Sequence, residues 1–516
     1  MRFALAISLM FFALTCEGAT YYVDFASGND ANEGTSSAAP WQRCPGDTLA
    51  TGVSSATTLA AGDTVNFKGG VEYNGVIRIN ASGTAASRIT YQGQPASWGS
   101  GRAIIDGTGA YSNAFLASSA RHYITIDGFE CRDLADGDRK AIHFSAAGNT
   151  NNVVANCFIW DVGSWEQNHT NVQGGAIMFN RGTQCVASNN VIEMTGNSGI
   201  FFIGGVSNVA VANRIGSYVN WCIGGSSETG NDLTSLVISR NTITNFYLYD
   251  TGFRTNLPNP HQNGIFVYRG SGGVVSNTLI ERNLLYNDQT FTNSDGSYAI
   301  NTSYANTALK VLNNVIINPH SSLAVGLRDD GGAVVANNTI YAPSVSAFLI
   351  TPTSGGTIEL TNNIIVCLQT AYEYSTTNQE AALSMDYNLF AGGNGTSQFA
   401  KRNASPTASY SWSTWRGTFS SRDGNSIAPV ATINFVSTNG YPTNCGAMDL
   451  RLSVGSDAIG AGADLSSLFT DDYDGVTRAA PWDIGAFEYQ ASGGGGGSTN
   501  TSGTVTATVF NVQRIQ

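Results

Sequence analysis

Charged side chains are scarce in this 516-residue chain. Asp, Glu, Lys and Arg make up only 12% of it, about half the roughly 25% usual in soluble domains. Lysine occurs only 4 times and proline 12 times. Helices with solvated faces draw on charged residues, so a mainly helical protein and a coiled coil are both excluded. Positive charge is the scarcer sign: 25 basic residues against 37 acidic ones leave a net charge of −12. A general nucleic-acid or anionic-membrane surface needs clustered positive charge and is excluded as well. Beyond the N-terminus, no apolar run reaches the roughly 20 residues that cross a bilayer. What is abundant instead is 59 Gly, 48 Asn and a hydrophobic share of 42%. That apolar content excludes a disordered chain, and the Gly and Asn point to many turns.

The ends of the chain differ from the rest. Met1 and Arg2 precede an apolar run over residues 3–14 and a small-residue stretch to Ala19. This pattern is that of a secretory signal peptide over residues 1–19, too short to span a membrane. A lipid-attachment reading of Cys16 fits its flanking residues poorly. Seven cysteines then remain, Cys44, Cys131, Cys157, Cys185, Cys222, Cys367 and Cys445. An odd, dispersed set is neither a disulfide scaffold nor a zinc site, so buried thiols are expected. Residues 491–498 form a Gly/Ser linker, and residues 499–516 a tail suited to cell-surface attachment or to secretion machinery.

Internal repeats decide the fold class. A β-branched run, one or two Asn and a second apolar run recur at VVANCFI (153–159), VASNNVI (186–192), VAVANRI (209–215), VISRNTI (237–243), IERNLLY (280–286), VLNNVII (311–317), VVANNTI (334–340) and IELTNNII (358–365). Their last Asn residues, from Asn156 to Asn363, are spaced by 34, 23, 28, 42, 31, 24 and 25 residues. A third apolar run lies between them: AIHFSA (141–146), GAIMFN (175–180), GIFFIG (199–204), GIFVYR (264–269), YAINTS (298–303) and LAVGLR (323–328). Three short strands in a turn of about 23 residues, with no helical period, describe an all-β parallel solenoid. About eleven coils are expected, with Asn stacking into a ladder at one bend. Residues 20–390 hold this solenoid, and its first part, to Gly62, covers the open end. Residues 391–490 close the other end.

The coils resemble right-handed parallel β-helix proteins of the pectate-lyase-like superfamily, over roughly residues 20–490. TYYVDFASGNDANEGTSSAAPWQ with LAAGDTVNFKGGVEY is similar to the N-terminal cap of secreted bacterial polysaccharide lyases and glycosidases of this fold. MDYNLF, STWRGTF, DLRLSVGSDAIGAG, DYDGVTR and WDIGAFEY resemble the closing segment of bacterial β-helix proteins of the choice-of-anchor Q group. The resemblance implies an exported protein acting on a polysaccharide. It transfers no catalytic motif, since fold does not decide chemistry.

Strand alternation places candidate site residues. With Ile142, Ile177, Ile200, Ile265, Ile300 and Val325 inward, the next residues His143, Met178, Phe201, Phe266, Asn301 and Gly326 face out. Two positions on come Ser145, Asn180, Ile203, Tyr268, Ser303 and Arg328, with Arg181 and Arg269 beside them. Long insertions enter this face: residues 161–174 with Trp165, Glu166 and His169, residues 245–263 with Asp250 and His261, and residues 287–297. Each His and acid has an ordinary reading as a solvated or hydrogen-bonded residue, and each exposed aromatic as one covered by a loop.

Three functions follow. A lyase acting by β-elimination on a uronic-acid glycan needs a base and a cation for the carboxylate. His261, Tyr268, Arg269 and Arg328 are its catalytic candidates, and Asp250, Asp329 and Asp330 are candidate Ca2+ ligands. His143, Trp165, His169, Asn180, Arg181, Phe201, Phe266 and Asn301 would bind substrate. Lys140 and Lys310 are the only lysines of the central coils, so a lysine base is disfavoured. A glycoside hydrolase would instead pair two carboxylates from Asp161, Glu166, Asp250, Asp329 and Asp330. The third function is a non-catalytic adhesin or structural solenoid. The lyase is the favoured one, acting as a monomer and without an organic cofactor.

Overall fold

The computed structural model describes residues 18–164, 173–217, 219–246, 262–288, 298–303, 306–319, 323–328, 332–343, 345–351, 356–367, 369–391, 399–427 and 431–491. Among these the chain winds through three long sheets in fixed rotation. Ile124–Asp127 lies in the first sheet, Glu130–Arg132 in the third and Lys140–Phe144 in the second. The next turn then repeats the circuit with Val153–Ala155, Phe158–Ile159 and Gly175–Thr183. The first sheet has 13 strands, the second 16 and the third 12. Neighbours along these stacks pair in parallel, as in Val154 with Ala187 and Ile159 with Ile192. Each strand therefore bonds to the same strand of the next coil, which makes the fold a parallel β-helix.

Asparagine builds the bend between the first and third sheets. Asn190 Nδ2 donates to Asn213 Oδ1, and the pattern runs on through Asn241, Asn283, Asn314, Asn338 and Asn363 to Asn388, every link 2.9 to 3.0 Å. These side chains are buried, where an unpaired amide would be costly. The residue before each is left-handed: Asn189, Ala212, Arg240, Arg282, Asn313, Asn337, Asn362 and Tyr387 have φ between 51° and 58°. Such backbone costs roughly 1 to 2 kcal/mol per non-glycine residue, and the ladder offsets it. One expected member differs. In the coil at 153–159 the ladder position is Cys157, whose N–H donates to Asn190 Oδ1 at 3.0 Å. Asn156 is instead the left-handed residue, and its amide donates to Asp127 Oδ1 at 2.6 Å.

Inside, like side chains stack on like. Ile142, Ile177, Ile200, Ile223, Ile265 and Ile300 stand in register, and Phe144, Phe179 and Phe202 stack with centroids 5.2 and 5.5 Å apart. All seven described cysteines are free and buried; desolvation pushes the Cys157 thiol up to about 12 and Cys185 to about 11.

The ends are closed by aromatic plugs. Thr20–Val23 is the first strand of the first sheet and pairs with Thr64–Phe67. Between them, Trp41 lies fully buried against Tyr21 at 4.7 Å, its Nε1 donating to Asn32 O at 2.6 Å. At the other end the second sheet continues to Ala400–Arg402, past the expected boundary at 390, and then turns back with Ala408–Tyr410. Phe399 and Trp412 close over Phe390 there, with centroids 4.8 and 4.9 Å apart. The segment ending in WDIGAFEY does not cap this end, contrary to expectation. Residues 431–490 double back along the outer face of the third sheet, packing Leu450, Ala486 and Phe487 on Val315 and Ile317. Third-sheet side chains facing outward there are apolar, so a covering segment is required to bury them.

Candidate functional site

The second sheet has the longest strands: Gly175–Thr183, Thr195–Val206, Val219–Ser227 and Asn263–Arg269, followed by Tyr298–Ser303 and Leu323–Arg328. Their registers align two outward rows. The first runs Leu116, His143, Met178, Phe201, Gly224, Phe266, Asn301, Gly326, Leu349 and Glu373. The second runs Asn180, Ile203, Ser226, Tyr268, Ser303, Arg328 and Thr351. Both expected rows are therefore present, with one strand inserted that repeat reading missed. Val219–Ser227 lacks an opening Gly and contains Gly224-Gly225, which reads as a turn. In the stack Gly224 is a gap: a Cβ there would lie 2.7 Å from Phe201 Cε2 and 2.6 Å from Phe266 O.

The inserted strand brings Trp221, the functional candidate that sequence reasoning lacked. Its ring meets Phe266 edge-on at 5.0 Å and lies 5.9 Å from Phe201 and 6.0 Å from Tyr268, while Phe266 and Tyr268 stack at 4.6 Å. Phe201 is buried, and the other three rings are half-buried on the outer face. The sequence signal was present: an aromatic at the strand position that Ser198 and Asn263 occupy in the neighbouring coils.

Polar groups flank this patch. Asn301 is 6% exposed, and its Oδ1 is buried with no hydrogen-bond partner. Burial raises the Tyr268 phenol above its ordinary value, with Glu228 adding to the rise and the Ser226 hydroxyl opposing it, so Tyr268 is protonated at neutral pH. Arg328 lies two strands beyond Tyr268, and its charge reaches the Tyr298 phenol, which burial raises and Glu373 raises further. Arg181 is exposed and pairs with Glu228 at 3.5 Å; Arg269 is exposed at its strand end. His143 stands at the other end of the face. Burial and the nearby Lys140 lower its imidazole to about 4, so the ring is neutral. Asn180 faces it and holds the drop back, without a bond of ordinary geometry to the buried Nε2. Lys140 does not enter the groove; its Nζ donates to Asp138 Oδ1 at 2.5 Å.

Distances divide these residues. His143 and Asn301 are five strands apart, roughly 24 Å at the usual parallel spacing. They cannot serve one reacting bond, but both can line a groove holding an extended chain. Tyr268, Ser303 and Arg328 occupy three successive strands of one row and do come together. Trp165, His169, Asp250, His261, Asp329, Asp330 and Glu166 lie outside the described residues. Asp161 is described at a left-handed turn that faces Asp133, three strands from Tyr268. Among the described residues no group of three or more His, Cys, Asp and Glu could hold a metal ion.

No family model and no curated protein sequence matches this chain. Its structure is similar to that of XylC solved with xylose, at 11% identity and a TM-score of 0.51, covering 91% of this chain and 98% of that one. Pectate lyase Pel9A shows 16% identity and a TM-score of 0.47, with 91% and 96% covered. The GH136 lacto-N-biosidase from Eubacterium ramulus shows 13% identity and a TM-score of 0.43, with 75% and 65% covered. At such identities the likeness is one of fold. No helix among the described residues is long and apolar enough to cross a membrane.

Proposed function

We propose that this protein is exported and binds a polysaccharide along the outer face of the second sheet, cleaving it by β-elimination at a uronic acid unit. The observation that carries this reading is the row of Tyr268, Ser303 and Arg328 on successive strands beside the aromatic patch. A guanidinium near the substrate carboxylate would stabilise the charge that develops as the adjacent C–H proton leaves. His261 is the proposed base that takes this proton. The electron pair forms the new C=C bond, the glycosidic C–O bond breaks, and the departing oxygen takes the proton of Tyr268, whose raised pKa suits an acid rather than a resident base. No step uses a metal ion.

The hydrolase reading has less support from the described residues. Among the described residues Glu228 and Glu373 are the acids on the face near the patch, and they stand five strands apart, roughly 24 Å against the 5 to 9.5 Å or so that glycoside hydrolysis requires. Incubation with alginate, pectate and glycosaminoglycans, followed by ultraviolet absorbance, tests the proposal. Unsaturated ends are the expected product. Reducing ends without absorbance would replace the lyase by a hydrolase, and binding without either product would make the protein an adhesin.

A further inference from the structure

Among the described residues, the two outward rows of the second sheet carry almost no charge. Over nine successive strands, from Leu116 to Leu349, the outward row contains no Asp, Glu, Lys or Arg. His143, its one titratable member, is neutral at pH 7. In the neighbouring row, from Asn180 to Thr351, Arg328 is the one charged side chain. A homopolymer of uronic acids carries a carboxylate on every unit, and most units laid along these two rows would lose solvation without meeting a cation, because Arg328 is the one cation within them and Arg181 and Arg269 stand exposed near the strand ends. An uncharged sugar has no such penalty. Its C–H face packs well on aromatic rings, and its hydroxyls need buried polar partners.

Both requirements are met next to the proposed reaction centre. The half-buried rings of Trp221 and Phe266 form an apolar surface, and the missing Cβ of Gly224 leaves room for the edge of the Phe201 ring beside them. One strand further, Asn301 holds a buried amide oxygen with no partner, and that oxygen could accept a bond from a hydroxyl. Arg328 follows two strands beyond Phe266, roughly 10 Å away.

We infer that the groove takes an uncharged pyranose unit on Trp221 and Phe266, beside the uronate at Tyr268 and Arg328. The substrate is then a heteropolysaccharide in which uronic acid alternates with neutral sugar, not a homopolymer of uronates. This rests on the lyase reading above and narrows its substrate. The test is calorimetric binding of the full chain to two panels, alternating polymers (hyaluronan, unsulfated chondroitin) and homopolymers (pectate, polymannuronate, polyguluronate), with absorbance read in parallel. The expected result is that at least one alternating polymer binds tenfold or more tightly than every homopolymer. Trp221→Ala and, independently, Phe266→Leu should each weaken that binding about tenfold with thermal unfolding unchanged. Homopolymers bound and cleaved equally well, with both variants behaving as the parent, would overturn the inference and leave the lyase reading standing. No binding to either panel would overturn both.

Discussion

Asn283 lies in the middle of the ladder and illustrates how much one buried amide holds. Its Oδ1 accepts from both the N–H and the Nδ2 of Asn241, at 3.0 and 2.9 Å, while its Nδ2 donates to Ile238 O and Asn314 Oδ1. Asn283→Ala strands donors and an acceptor in a site closed to water, at about 1 to 3 kcal/mol for each unsatisfied group. A loss of about 3 kcal/mol in chemical unfolding is expected, against less than 1 kcal/mol for an exposed Asn such as Asn439. His143 makes a pH-dependent contribution. Its folded pKa of about 4 lies below the ordinary imidazole value of 6.5, so its contribution is present above pH 6.5 and is lost as pH falls toward 4. His143→Gln should flatten the fall of thermal stability in that window, and in the parent protein the His143 imidazole resonances should titrate near 4. Buried Asp423 works in the opposite direction. Raised to about 6 by desolvation, it favours the folded state at low pH and loses that contribution as pH rises through 6.

Strands and segments were unevenly legible. The apolar runs in VASNNVI and VAVANRI are strands because β-branched residues alternate around a single Asn bend, and neighbouring coils repeat that pattern without interruption. Val219–Ser227 escaped notice because a Gly pair ordinarily breaks a strand, whereas in a stack it makes room for a ring from the coil below. The closing segment was misplaced for a similar reason: its composition reads as irregular, and only the apolar outer face of the third sheet shows what it covers. Arg478 pins it there. The guanidinium is nearly buried, donates to Asn313 Oδ1 and Gly485 O at 2.9 Å, pairs with Glu488 at 3.3 Å and lies over the Trp482 ring. Arg478→Ala removes the charge partner of Glu488, which keeps only backbone N–H donors, and about 3 to 5 kcal/mol should be lost. The expected readout is a lower unfolding temperature, with early proteolysis within residues 431–490.

Taken over its whole length, the β-helix is a one-dimensional stack in which each coil rests on its neighbours. The consequence for the proposed function is that position along the axis would set the task, with binding proposed near His143 and chemistry proposed near Tyr268 and Arg328. Arg328→Ala and His261→Ala are expected to lower turnover by a hundredfold or more, with the unfolding temperature within a degree or two of the parent. Steady-state kinetics beside thermal melts check this, and unchanged turnover in both variants would move the reaction centre elsewhere on the face.

The fold was written in the chain itself, because a solenoid repeats one local rule, strand, Asn bend, strand, and a local rule leaves a period in the sequence. The two outward rows followed from the same period. What only the tertiary structure decided was which residues of different coils meet: Trp221 joining Phe201, Phe266 and Tyr268, Gly224 yielding space to a ring, and residues 431–490 lying along a flank instead of across an end. Those contacts join positions tens to hundreds of residues apart, and nothing local in the sequence encodes a distance across the stack.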